Sequence, residues 1–102
     1  MTDILSAQAD GWTALRVRVS NRDLGCMAPR LDLSENRPCK GMLTLNHVKE
    51  EPMMGKKAPD DEAHLVTVCA YHHIDGGWAT SRRGLEAQRA YLTRLYPMVW
   101  DA

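Results

Sequence analysis

The chain has 102 residues, 25% of them charged and 44% hydrophobic, with no Phe and with 13 basic against 13 acidic side chains. It is expected to form one domain with a thin aliphatic core and no overall field to gather polyanions. No apolar run approaches the ~20 residues that span a bilayer, and the N-terminus lacks the charged-then-apolar pattern of an export signal, so a cytoplasmic protein without membrane contact is expected.

Asp10 is a candidate N-cap for a helix through about Arg22, with Trp12, Leu15 and Val19 on one face and Arg16, Arg18 and Arg22 largely elsewhere. Asn21 and Gly25 signal its end. The stretch from Cys26 to Cys39 holds Pro29, Asp32, Ser34, Asn36 and Pro38 and reads as a loop. Met42 to Val48 is rich in β-formers and follows Gly41, so a strand is expected with Asn46 and His47 at its exit.

Lys49 to Asp61 is polar, carries Pro52, Gly55 and Pro59, and reads as an exposed loop. His64 to Val68 is too short for a helix of its own. It leads into Cys69-Ala-Tyr-His72-His73, where one or two helical turns would put side chains three and four residues apart on one side. Gly76-Gly77 stops that helix. A last helix is expected from about Ser81 to Tyr96, with Leu85, Gln88, Leu92 and Leu95 inward and Pro97 after it.

All three cysteines and all four histidines fall between Cys26 and His73. Three cysteines cannot all pair as disulfides, and a reducing compartment favours their use as thiolate ligands. Cys26, Cys39, Cys69 and His72 are the donor set of a closed structural zinc site, and Cys69-x2-His72 has the spacing of a knuckle. The 12 residues between Cys26 and Cys39 imply a loop inserted into the other half. Asn46, His47, His64 and His73 form a second group. Phosphodiester hydrolysis needs a base to deprotonate water and a cation to neutralise developing charge, and an imidazole beside an ion-binding side chain supplies both.

Arg82, Arg83 and Arg89 on the last helix are candidate phosphate contacts, set against the plainer reading of a solvated face. Lys56-Lys57 is similarly ambiguous, and Trp12, Trp78 and Trp100 read as core or edge packing ahead of base-stacking platforms.

The segment Cys39 to His73 resembles an HNH endonuclease of the zinc-knuckle type, especially the small ones encoded by bacteriophages. The match is carried by a strand ending in a ligand-His pair, Leu45-Asn46-His47, then a variable loop, then His64-Leu-Val-Thr-Val-Cys69-Ala-Tyr-His72-His73. The resemblance implies an α+β chain with a small ββα-metal fold: an N-terminal helix in 1–25, zinc knuckle and metal core in 26–75, and a C-terminal helix in 76–102.

It also implies that His47 is the general base and that His73 ligates a catalytic divalent ion, Mg2+, Mn2+ or Ni2+. Asn46 stands where the family usually has Asp or His as the other ion ligand, His64 replaces the middle Asn that orients the base or helps bind metal, and His72 replaces the last knuckle cysteine. The implied activity is metal-dependent cleavage of DNA by a monomer, leaving 5′ phosphates, in phage genome processing or packaging beside a terminase in the host cytoplasm. The alternative is a zinc-stabilised nucleic-acid or protein adaptor that keeps the fold without turnover.

Overall fold

The computed structural model describes residues 11–49 and 58–100. Asp10, the expected N-cap, lies outside them, as does the centre of the polar stretch, including Lys56 and Lys57. Helix α1 (Gly11–Asp23) buries Leu15 and Val19. After a turn through Leu24 and Gly25, the expected loop contains a short helix α2 (Ala28–Leu31) with Pro29 in its first turn, where a missing N–H is harmless.

Strand β1 (Leu43–His47) pairs antiparallel with β2 (Leu65–Cys69) in a two-stranded sheet, with His47 opposite Leu65 and Leu43 opposite Cys69. A 3-10 turn (Glu62–His64) precedes β2, and a single π-helical turn (Tyr71–Asp75) follows it, then a 3-10 turn (Trp78–Thr80). Helix α3 (Arg82–Leu95) starts at Ser81, whose hydroxyl accepts the Gly84 N–H as a cap, and α4 (Pro97–Trp100) closes the described chain.

Because side chains alternate along a strand, the sheet presents two different faces. Leu45 and Leu65 pack with Leu15 and Val19 beneath α1. Val66 and Val68 face the other way and join Met27, Ala28, Val48, Trp78, Ala79 and Leu92 in the main core. Both faces of β2 are therefore covered, and all five of its residues are buried.

Helix α3 turns Gln88 and Leu92 inward as expected, but Leu95 is exposed because the chain leaves the core at the last turn. Gly84 lies against the Trp78 carbonyl, which a Cβ there would meet at 1.7 Å. Only the absence of a side chain lets α3 approach the Trp78 turn so closely.

One buried charge locks these layers. Asp23 is fully enclosed. It receives Arg22 at 2.7 and 3.0 Å, the Tyr91 hydroxyl at 2.5 Å and the Thr67 N–H at 2.8 Å. Burial alone would push its carboxyl up. The Arg22 and Tyr91 side chains and the Thr67 amide outweigh that and hold it below the ordinary carboxylate range. Arg22, placed outside the core by the helical pattern, is instead drawn in by this carboxylate and by the Glu62 and Leu65 carbonyls. No helix among the described residues is long and apolar enough to cross a membrane.

Candidate metal centre and the histidine faces

The expected quartet assembles. The ligand atoms of Cys26, Cys39, Cys69 and His72 all lie within 4.8 Å of one another. Cys26 enters from the turn after α1, where Met27 N–H donates to the Thr67 carbonyl and fixes the segment against β2. Cys39 enters from the approach to β1. There Gly41 adopts φ 82, a left-handed conformation, and a Cβ on it would meet the Ala70 Cβ at 2.9 Å. That close pass is sealed by Ala70 N–H to the Met42 carbonyl and Tyr71 N–H to the Lys40 carbonyl, which lays residues 40–42 beside 70–71.

His72 Nδ1 faces Cys26 Sγ at 3.6 Å and Cys69 Sγ at 3.1 Å. Bond lengths of 2.3 Å to sulfur and 2.0–2.1 Å to nitrogen give a tetrahedral S···N edge of about 3.6 Å; the Cys26 edge matches it and the Cys69 edge is shorter, so the four donors are close enough to hold a metal ion and are consistent with zinc once the Cys69 edge opens. The His72 amide also lies 3.5 Å from Cys69 Sγ, an N–H pointing at a thiolate.

The three thiols titrate very differently. Burial would raise Cys69, but the amide of His72, the backbone of Lys40 and the side chains of His72 and Cys26 bring it down to about 6. Cys39 is an exposed residue, yet desolvation where its sulfur meets the cluster, and then Cys26 and Cys69 beside it, push it up to about 12, and Cys26 is raised first by burial. One sulfur ionises readily and the others resist, because neighbouring thiolates repel one another. A divalent cation at their centre removes the resistance by letting all three be thiolates.

Glu35 completes the centre, although no spacing in the sequence marked it. Its side chain is 2% exposed and its Oε2 lies 3.1 Å from His72 Nε2. Arg37 grips both of its oxygens, and Arg83 approaches at 3.4 Å. The oxygen lies off the N–H direction, so Nε2 makes no well-aligned hydrogen bond there, and the carboxylate acts on the ring as a charge at close range, which favours the tautomer with the proton on the outer nitrogen and strengthens the inner nitrogen as a donor. The only hint was a Glu and an Arg two residues apart inside the knuckle loop.

The second expected group does not gather. Among the described residues, the thiolate quartet is the cluster of three or more His, Cys, Asp or Glu side chains close enough to share an ion. Asn46 and His47 are neighbours on β1 and so leave the sheet on opposite faces. Asn46 is buried toward α3, its amide nitrogen donating to Gln88 Oε1 at 2.8 Å and to the Ala79 carbonyl at 3.3 Å. His64, expected in the active site, is buried instead, with Nδ1 at 2.7 Å from Asp61 and its ring tilted against Trp100.

His47 stays exposed. Its Nε2 lies 2.6 Å from Asp60 Oδ1, so the carboxylate holds Nε2 as the protonated nitrogen and leaves Nδ1 as the basic one. Asp60 is the side chain that orients the His47 ring.

His73 is fixed by Thr44. The Thr44 hydroxyl gives its single proton to the Val68 carbonyl at 2.8 Å and must accept from His73 Nδ1 at 2.7 Å. His73 Nε2 is therefore the lone-pair nitrogen. Burial first, and the charge of His47 second, lower its pKa and keep it neutral.

The arginines are also more committed than expected. Arg83 is held by Asp32 and Glu35, and Arg89 donates to the Lys49 carbonyl at 3.0 Å. Arg82 remains on the surface with Glu86. Compared with family models, curated proteins and solved structures, the chain matches none.

Proposed function

We propose that this chain is a zinc-braced DNA endonuclease of the HNH type, a small ββα-metal unit that hydrolyses phosphodiesters with His47 as general base. The observation that carries the reading is the exposed His47, aligned by Asp60 and leaving Nδ1 free, on the strand next to the knuckle that holds the thiolate quartet. Nδ1 takes a proton from water as the oxygen attacks phosphorus, the 3′ oxygen departs, and a 5′ phosphate remains. Zinc at Cys26, Cys39, Cys69 and His72 is coordinatively closed and serves the fold.

A second divalent cation, when bound, would supply charge neutralisation at the phosphate. His73 Nε2 is the available nitrogen donor, and its ring is near enough to His47 to feel that side chain's charge. Incubation of supercoiled plasmid with Mg2+, Mn2+ or Ni2+ is the test. His47→Ala should cut nicking by roughly 10²–10⁴-fold, the span of a lost general base, with zinc content unchanged. Absence of nicking by wild-type protein under every ion defeats the proposal.

The engagement of Asn46 by Gln88 and of His64 by Asp61 favours a second reading, a zinc-stabilised nucleic-acid adaptor without turnover. DNA binding that survives His47→Ala, with no cleavage at all, would select it. Packaging partners such as a terminase belong to either reading.

A further inference from the structure

Trp12 is the exposed aromatic at the start of α1, 40% accessible, and it does not join the Leu15–Val19–Leu65 cluster that the rest of the helix face builds. Its indole instead lies parallel to the His47 imidazole, with ring centroids 5.9 Å apart and an interplanar angle of 3°. The stacked pair forms one side of a groove of about 720 Å³ lined also by Lys49, Ala58, Pro59 and Asp60. That volume is within the roughly 300–1,000 Å³ of ordinary small-ligand sites.

We propose that this groove receives an unpaired nucleotide of a DNA strand, with its base stacked on Trp12 and its phosphate drawn by Lys49, so that the adjoining phosphodiester meets His47. This rests on the nuclease reading and narrows its substrate to DNA with single-stranded character: a gap, a flap or an overhang. The chemistry of the lining selects the occupant. A flat indole and the apolar Ala58 and Pro59 suit the face of a base, and one ammonium suits one phosphate. The groove's acid, Asp60, is in contact with His47.

A base inside a duplex has both faces covered by its neighbours and cannot lie on Trp12. An unpaired base has a free face, and such stacking tolerates any base because each presents a π surface. Trp12 therefore sets strandedness and leaves sequence unread.

The experiment is fluorescence anisotropy of a labelled 12-nucleotide single strand and of its duplex, with zinc-loaded protein and no added catalytic cation. Wild-type protein should bind the single strand at least tenfold more tightly than the duplex. Trp12→Ala should lose roughly tenfold or more of that affinity, the scale of one stacked base, and Trp12→Tyr should recover most of it. Unchanged single-strand affinity in Trp12→Ala, with zinc content and circular dichroism intact, overturns the proposal, as does equal or tighter binding of the duplex.

Nicking assays on the same variants separate this from the parent reading. Trp12-dependent binding without cleavage leaves the groove and removes the nuclease. Full cleavage of a gapped substrate by Trp12→Ala leaves the nuclease and removes the groove.

Discussion

Replacing Glu35 by Gln keeps the shape of the side chain and deletes the charge behind His72. In the wild-type protein Glu35 Oε2 is 3.1 Å from His72 Nε2, and the carboxylate is held by Arg37 at 2.8 to 3.1 Å. The contact is closed to solvent on both sides, since the two side chains are 0% and 2% exposed. Water therefore cannot substitute for the lost charge. Loss of such an outer partner lowers metal affinity by about 10–100-fold, or roughly 1.4–2.7 kcal/mol.

The fold should survive, because Arg83 keeps Asp32 and Arg37 keeps the Gly76 carbonyl. Zinc affinity is read by competition with a chromogenic chelator at fixed pH and ionic strength, with Arg82→Gln as control, since Arg82 is 94% exposed and remote from the centre. A folded Glu35→Gln protein that holds zinc within twofold of wild type would refute the reasoning and leave Glu35 as an anchor for arginines alone.

Cys69→Ser should abolish zinc retention and unfold the chain, as should chelation of the wild-type protein, because binding energy is folding energy in a site of this size; elemental analysis and circular dichroism report both, and a stable zinc-free Cys69→Ser protein contradicts it. Asp23→Asn leaves the part-buried Arg22 without its counter-charge and should cost about 3 kcal/mol, the lower end for breaking a buried pair, in urea unfolding at neutral pH.

The carboxyl of Asp23 is depressed in the folded state, so its contribution is complete above the unfolded value of about 3.9 and is lost as pH falls through the lower folded value. The stability gap between wild type and Asp23→Asn should therefore narrow below about pH 4, and a gap independent of pH would exclude the ion pair as its source. Gly84→Ala drives a methyl into the Trp78 carbonyl and should destabilise by at least the upper end of the roughly 1–3 kcal/mol typical of overpacking; a wild-type melting temperature would show that α3 can shift freely.

The elements and the metal-ligand quartet were legible because they leave local marks: the β-rich run after Gly41, the helical spacing of Leu85, Gln88 and Leu92, and Cys69-x2-His72. The partners of the histidines were not. Asp60 meets His47 from 13 positions away across a stretch without periodicity, and Glu35 reaches His72 through a loop fold that the metal ligands themselves organise. The setting of Asn46 beside His47 was not legible either, because its amide is taken by Gln88 and the Ala79 carbonyl from distant elements. Arg22 and Arg83 failed the helical pattern because a buried carboxylate outbids solvent for a guanidinium, and such carboxylates become visible only in three dimensions.

The outer edge of β2 is closed to other strands. At its midpoint Thr67 has its N–H taken by the Asp23 carboxylate and its carbonyl by the Met27 N–H, and two residues earlier the Leu65 carbonyl is taken by Arg22. A polypeptide arriving there finds these central main-chain groups already bonded, so intermolecular pairing is favoured on the opposite side, along Leu43–His47. A ladder that grows without limit needs two sticky borders per copy, and with one of them sealed, edge-to-edge association of this sheet stops at a pair rather than propagating into a fibril.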